Sequence, residues 1–240
     1  MKRRLVSILL VGILIFSING CGSAEEEAPA ENSQQEEAAP EDTEGEDETA
    51  SQAEGNTDAS VLVAYFTYGE NADLPEDVDA SSSASIQSYN GETTGNTGLV
   101  AHMISDALGA DLFSIQTTEP YPDNYDDTVD QGQEEQRSDE RPQLASQLEG
   151  LDGYDTIFLG YPNWWGDMPM AVYTFLETYD LSGKTVIPFV TSGGSGFSGT
   201  VEEIESLQPD AQVEEGIALG ASEAAEAQGE VEDWLDSLGY

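Results

Sequence analysis

The sequence predicts an α/β domain over residues 59–240, with helices on both faces of a parallel sheet. Three observations predict it. Short runs that are apolar at nearly every position recur, as in strands buried on both faces. Between them lie stretches whose apolar residues repeat at helical spacing. The two kinds alternate along the chain, and that order implies a parallel sheet.

Val61 to Phe66 is the first strand and has no polar position. Leu99, Val100, Met103, Ile104, Ala107 and Leu108 share one helical face and mark the first helix. Asp111 to Ile115 is the second strand. Residues 123–149 are polar and hold one or two helices. Thr156 to Tyr161 is the third strand. Asp167 and Pro169 suit a helix start, and Val172, Phe175, Leu176 and Tyr179 give that helix its apolar face. Thr185 to Thr191 is the fourth strand. Its Pro188 cannot donate to a ladder, which argues for a bulge or an edge there. Val201, Ile204 and Leu207 mark another helix, and Val213 to Leu219 a weaker fifth strand. Val231, Trp234, Leu235 and Leu238 form the last helix, so Trp234 reads as core packing. Two segments break the pattern. Residues 68–92 read as a long loop rich in Ser, Asp, Glu and Asn, of a kind that is often functional. Residues 192–199 are too glycine-rich for a regular element.

The N-terminus has a different character. Lys2, Arg3 and Arg4 precede an apolar run from Leu5 to Ile18, shorter than the roughly 20 residues a spanning helix needs. Ile18-Asn19-Gly20-Cys21 follows. The whole has the layout of a secretory signal. Its end resembles the lipobox of bacterial lipoproteins. That resemblance implies a signal peptide at residues 1–20, cut before Cys21, and a diacylglyceryl group on the Cys21 thiol. The other readings are a plain signal peptide or an uncleaved anchor. Residues 22–58 hold no aromatic residue and no Val, Ile or Leu. They cannot bury enough apolar surface to offset ordering entropy. Residues 21–58 are therefore expected to be a disordered acidic tether, spanning on the order of 35 Å. The domain would sit outside the bacterial cell membrane, anchored to it by the lipid.

Charge narrows the partners. The chain has 49 Asp and Glu against 6 Lys and Arg, a net charge of -43. Beyond the N-terminus only Arg137, Arg141 and Lys184 are basic. Such a surface repels nucleic acid, which needs a basic patch. It favours basic partners or cations, or simply solubility. The lone cysteine rules out an internal disulfide or a Cys-based metal site. His102, the only histidine, reads as a helix-edge residue. No side-chain cluster suggests a transition metal or a catalytic centre of its own.

Ligands of an open α/β sheet bind outside the carboxyl ends of its strands. Three segments fall there. Thr67, with Thr93-Thr94-Gly95-Asn96-Thr97 at the first helix start, suits an anion, because free amides and the helix dipole cradle phosphate. The same residues also suit an ordinary helix cap. Pro162-Asn163-Trp164-Trp165-Gly166 places two indoles in a loop where apolar periodicity does not demand them. A stacked planar ligand explains them, as does one core and one surface Trp. Thr191-Ser192-Gly193-Gly194-Ser195-Gly196 offers amides and hydroxyls to the polar edge of a ring, or is a plain turn.

These segments, with Val61 to Phe66 and Gly183 to Gly196, resemble the flavodoxin-like family, in its branch with a Pro-x-Trp-Trp loop. The resemblance covers nearly all of residues 60–240. It implies a five-stranded parallel sheet of order 2-1-3-4-5 and non-covalent FMN. Thr67, Thr94, Gly95, Asn96 and Thr97 would hold the phosphate. Asn163, Trp164, Trp165 and Gly166, entered through Pro162, would line the isoalloxazine. Thr191, Ser192, Gly193, Gly194, Ser195 and Gly196 would close the other side. Of the two indoles, Trp165 is expected nearer the ring, since Gly166 allows close approach, and Trp164 to pack beneath. Two departures stand out. Typical flavodoxins run from the first strand straight into the phosphate loop, whereas residues 68–92 intervene here. The second loop also has no Tyr for the far flavin face, which is left open to a substrate or covered by Phe197 or the insertion.

Since no side chains supply chemistry of their own, electron transfer would come from the flavin, its potential pushed down by the negative field. The expected function is an extracytoplasmic FMN-binding redox protein, either an electron carrier or a small reductase, with its redox partner left open and a basic one compatible with the charge. The alternative is a non-redox module binding another planar or phosphorylated ligand in the same cleft.

Overall fold

The computed structural model describes residues 60–75 and 85–240. The signal peptide, Cys21 and the tether expected from the sequence lie outside the described residues. So does the middle of the 68–92 insertion.

The main sheet contains β1 (Val61–Tyr65), β4 (Asp111–Ser114), β5 (Thr156–Pro162), β6 (Thr185–Ser192), β7 (Gln212–Val213) and β8 (Ile217–Gly220). Its order is β4-β1-β5-β6-β7, all parallel, with β8 also on β6. Numbered by sheet position along the chain, this is the order 2-1-3-4-5. Gly160 in β5 makes room for a neighbour: a Cβ there would lie 2.1 Å from the Phe189 ring.

The fifth position is where the structure departs from a simple strand. Pro188 lies inside a continuous, central β6, not at an edge. Lys184 and Val186 accept hydrogen bonds from Gln212 and Glu214, so even-numbered residues of β6 point their backbone groups at the fifth position. The amide missing at Pro188 is therefore missing on that side. The partner strand breaks there into β7 and β8, and Gly216 passes so close that a Cβ would sit 2.0 Å from the Pro188 carbonyl oxygen.

Strand residues alternate between two buried clusters. Val63, Tyr65, Phe158, Ile187 and Phe189 face α1 (Asn96–Leu108) and α5 (Gln228–Leu238). Leu62, Ala64, Phe66, Ile157, Leu159 and Val190 face α3 (Met170–Thr178) and α4 (Thr200–Leu207). Burial of each Val, Leu, Ile or Phe among them contributes roughly 1.5–3 kcal/mol. Trp234 packs edge-on against Phe158 at 5.6 Å, a core role. The polar stretch 123–149 forms one helix, α2 (Tyr125–Ser138), beside α3. Asn124 caps it by accepting from the Asp127 amide at 3.0 Å.

The described ends of the insertion hold regular structure. A turn at Tyr68–Glu70 leaves β1, and the far end forms an antiparallel hairpin, β2 (Ile86–Tyr89) and β3 (Glu92–Gly95). Asn90 and Gly91 both have positive φ, 51° and 87°, the signature of a type I′ turn. The hairpin lies on α1. Tyr89 stacks on His102 at 4.0 Å and its hydroxyl donates to Asp106. Gln87 donates to Asn96 at 2.7 Å. Among the described residues no helix is long and apolar enough to cross a membrane.

Candidate functional site

The three sequence segments meet at Thr191, near the carboxyl end of β6. The Thr191 and Thr97 hydroxyls are 2.8 Å apart, both buried. The Asn163 amide donates to the Thr191 carbonyl at 2.9 Å. Pro162 stands in register beside Thr191 at the end of β5.

At the first segment, α1 begins after Gly95, which gives no side-chain cap. Its first turn carries no acidic residue, whereas α2 and α4 each carry two. The backbone is tightly packed: a Cβ on Gly95 would lie 2.2 Å from Thr67 Oγ1, and one on Gly98 would lie 2.0 Å from Thr94 Oγ1. Thr67 and Asn96 are buried. The Thr94 hydroxyl points elsewhere. It donates to Glu70 at 2.6 Å, as do Ser114 at 2.6 Å and Tyr65 at 3.1 Å. Glu70 thus ties β1, β4 and β3 together beside the helix start. Burial, then the Glu70 charge, raises the Tyr65 phenol well above its ordinary pKa, so it stays a donor.

The second segment is a tight turn. Trp164 and Asp167 exchange backbone hydrogen bonds of 2.8 Å and 3.0 Å, and Trp165 and Gly166 have φ of 58° and 83°. The two indoles do not share one environment. Trp164 packs edge-on against Phe66 and Tyr121, each at 5.4 Å. Gly132 of α2 admits it: a Cβ there would lie 3.1 Å from the indole. Trp165 is 53% exposed and donates from Nε1 to the Val129 carbonyl at 3.2 Å. Beneath them, Tyr121 donates to the buried Glu135 at 2.9 Å. Burial pushes the Glu135 carboxyl up and the Tyr121 phenol higher still.

The third segment is bound to the second. Asn163 Nδ2 donates to the Gly196 carbonyl at 2.8 Å and to Ser198 at 2.9 Å, while its Oδ1 accepts from the Gly166 amide. Ser192 accepts from the Gly194 and Gly196 amides. Gly194 and Gly196 need glycine's freedom, with φ of 119° and 57°. Gly193 and Ser195 are exposed.

A cleft of about 770 Å³ opens between these segments. Asn163, Trp164, Trp165, Thr191, Ser192 and Gly193 line it. Thr67 and Thr94 to Thr97 stand behind this wall, joined to it through Thr97. Pro162, Gly166, Gly194, Ser195 and Gly196 are not in the wall either and shape its loops. The remaining lining comes from Tyr68, Ser85 and Ile86, within the 68–92 insertion that the sequence marked out, and from Asp123, Tyr125, Thr128, Val129, Gly132 and Ala221, which it did not single out. Phe197 packs against the core below α4 and is not in the wall. The missed residues had one weak signal, the apolar recurrence of Tyr125, Val129 and Gly132 in an otherwise polar helix. Among the described residues, no Lys, Arg or His lines the cleft. Arg141 pairs with Asp139 and Glu177, and Lys184 donates to the Tyr154 carbonyl.

Comparison with known proteins agrees with this architecture. Residues 86–238 match the flavodoxin family model. No curated protein matches the chain in sequence. A candidate flavoprotein from Bacteroides eggerthii DSM 20697 is 27% identical, with a TM-score of 0.55, over 76% of this chain and 99% of its own. One from Bacteroides uniformis ATCC 8492 is 28% identical, with a TM-score of 0.56, over 74% and 98%. A flavoprotein from Lactobacillus acidophilus NCFM, solved in complex with FMN, is 19% identical, with a TM-score of 0.48, over 70% and 97%. The family match spans most of the α/β domain, from the hairpin to the last helix, and the chain belongs to the flavodoxin family.

Proposed function

We propose that the chain binds FMN non-covalently in this cleft and acts as a redox protein, an electron carrier or a small reductase. The observation that carries the reading is the convergence on Thr191, which joins the α1 start, through Thr97, to a cleft lined by an exposed indole and the glycine loop. The residues fit the cofactor. The α1 start has no capping side chain and no acid in its first turn, so its amides and the Thr67 and Thr97 hydroxyls behind the wall would hold a phosphate without a basic residue, while the neighbouring Glu70 carboxylate is occupied in accepting from Thr94, Ser114 and Tyr65. Trp165 offers an open ring face for the isoalloxazine. Thr191 to Gly196 offer hydroxyls and amides to its polar edge. FMN supplies the electron transfer, and the protein supplies position and electrostatics.

Purified full-length protein reconstituted with FMN should be yellow and should bind FMN at least tenfold more tightly than riboflavin. A colourless protein after reconstitution would refute the reading and favour a non-redox binding module. Equal affinities for FMN and riboflavin would refute the phosphate seat at α1. The lipid on Cys21, and with it an extracytoplasmic membrane location, rests on Ile18-Asn19-Gly20-Cys21 ending the apolar run. Labelled fatty acid should enter the wild type and not Cys21→Ala; equal labelling overturns that part.

A further inference from the structure

We infer that the outer half of the cleft is a second subsite, for a planar aromatic ligand that is neutral or cationic, and that it rejects anions. The inference rests on the FMN reading only for the inner half. One wall of the outer half is a single stripe of α2. Tyr125, Thr128, Val129 and Gly132 fall at positions i, i+3, i+4 and i+7, so they share one face. That face meets the tryptophan turn, with Trp165 bonded to the Val129 carbonyl and Trp164 seated on Gly132. Tyr125 is 74% exposed at the mouth, far more than an aromatic ring placed for packing. Tyr68 also faces the cleft.

The chemistry of this wall is selective. Apart from the exposed Tyr125 hydroxyl, its side-chain donors are already engaged. Tyr68 donates to the Pro122 carbonyl at 2.8 Å, Trp165 to Val129, and Thr128 to Pro122 and Asn124. An anion would find no cation and, on the α2 face, only that one hydroxyl. A flat ring finds aromatic faces, and a cationic ring gains from both those faces and the Asp123 carboxylate at the rim. The residues that select this ligand lie outside the segments assigned to FMN, except for the shared indoles.

The test is titration of the FMN-loaded full chain with three dyes of one ring system: N-methylacridinium, acridine at alkaline pH, and acridine carboxylate. Flavin absorbance, recorded first, reports FMN binding separately. Should the protein hold no flavin, the FMN reading fails and the same titration of the apo protein still tests the α2 wall. The expected order is cation, then neutral dye, then anion, with the gap narrowing as salt is raised. Because the whole chain is acidic, the order alone is not diagnostic. Tyr125→Ala should weaken the neutral dye about threefold to tenfold, as for loss of one stacking partner, with flavin content unchanged. Asp123→Asn should weaken the cation and not the neutral dye. The same charge change at Asp233→Asn, on the exposed side of α5, should do neither. Unchanged dye binding in Tyr125→Ala, or equal effects of Asp123→Asn and Asp233→Asn, would overturn the subsite.

Discussion

The hairpin turn Asn90-Gly91 and the cleft turn Trp165-Gly166 have nearly the same φ angles, 51° and 87° in one and 58° and 83° in the other. In the hairpin, the residue suits the conformation, because Asn tolerates the left-handed region and Gly occupies it freely. In the cleft, a Trp occupies the first position, where a bulky side chain costs about 1–2 kcal/mol. One turn obeys local preference and serves the fold. The other violates it and presents an indole at the mouth of a cleft. Strain of this kind persists only when its surroundings over-determine it, and here Asn163, Asp167 and Val129 hold the loop from three sides. The two turns show how local preference and site geometry separate when a residue is kept for what it touches.

The largest test of the comparison is Trp164→Ala. Trp164 is the indole that supports the loop, so its removal should cost the apo domain about 3 kcal/mol in chemical denaturation, as large-to-small core changes do. A loss below about 1 kcal/mol would mean that the loop stands without it. Trp165→Asn is next and should act in the opposite sense. It copies the hairpin turn into the cleft, so apo stability should hold or rise by up to about 1 kcal/mol. FMN affinity should fall about threefold to tenfold as stacking is lost. The reverse copy, Asn90→Trp, should lower the thermal midpoint by an amount equivalent to about 1 kcal/mol and leave flavin binding unchanged.

The smallest effect concerns what lies under the cleft turn. Glu135 holds Tyr121, on which Trp164 leans. Burial raises its carboxyl above the ordinary value of 4.5, so the folded state binds that proton more tightly than the unfolded state. This contribution to stability is full below about pH 4.5 and is lost as pH rises through the raised value. Glu135→Gln cannot lose a proton, so it should flatten that part of the stability–pH curve. A parallel curve for wild type and variant would show that Glu135 ionises without consequence.

The sheet was legible because its strands are apolar on both faces and stop at polar residues. Val61 to Phe66 and Thr156 to Tyr161 allow little else. The hairpin was not legible, although Asn90-Gly91 is a strong turn signal. Ile86-Gln87-Ser88-Tyr89 alternates weakly and sits in a polar insertion, so its strand character comes from contact with α1. Pro188 drew attention to the right place on the wrong strand: the proline keeps its own strand intact and breaks the partner's. At the site, the paired indoles and the glycine loop were legible because they do not fit regular elements. Glu70, Tyr125 and Val129 were not. Nothing local distinguishes them, and their roles arise only when α2 and the turn after β1 fold back over the strand ends.

The broken fifth position has a consequence for how copies of this chain meet one another. A long, flat strand at the edge of a sheet is a template onto which another chain can add. Here that edge is β7, of 2 residues, and β8, of 4, set apart by the crowded Gly216. At the opposite edge β4 is also only 4 residues long and begins with an exposed Asp111. An incoming strand would run out of aligned partners within two or three hydrogen bonds at either side. At both edges of the main sheet, shape works against edge-to-edge growth, and it does so equally in high salt, where the acidic surface no longer keeps molecules apart.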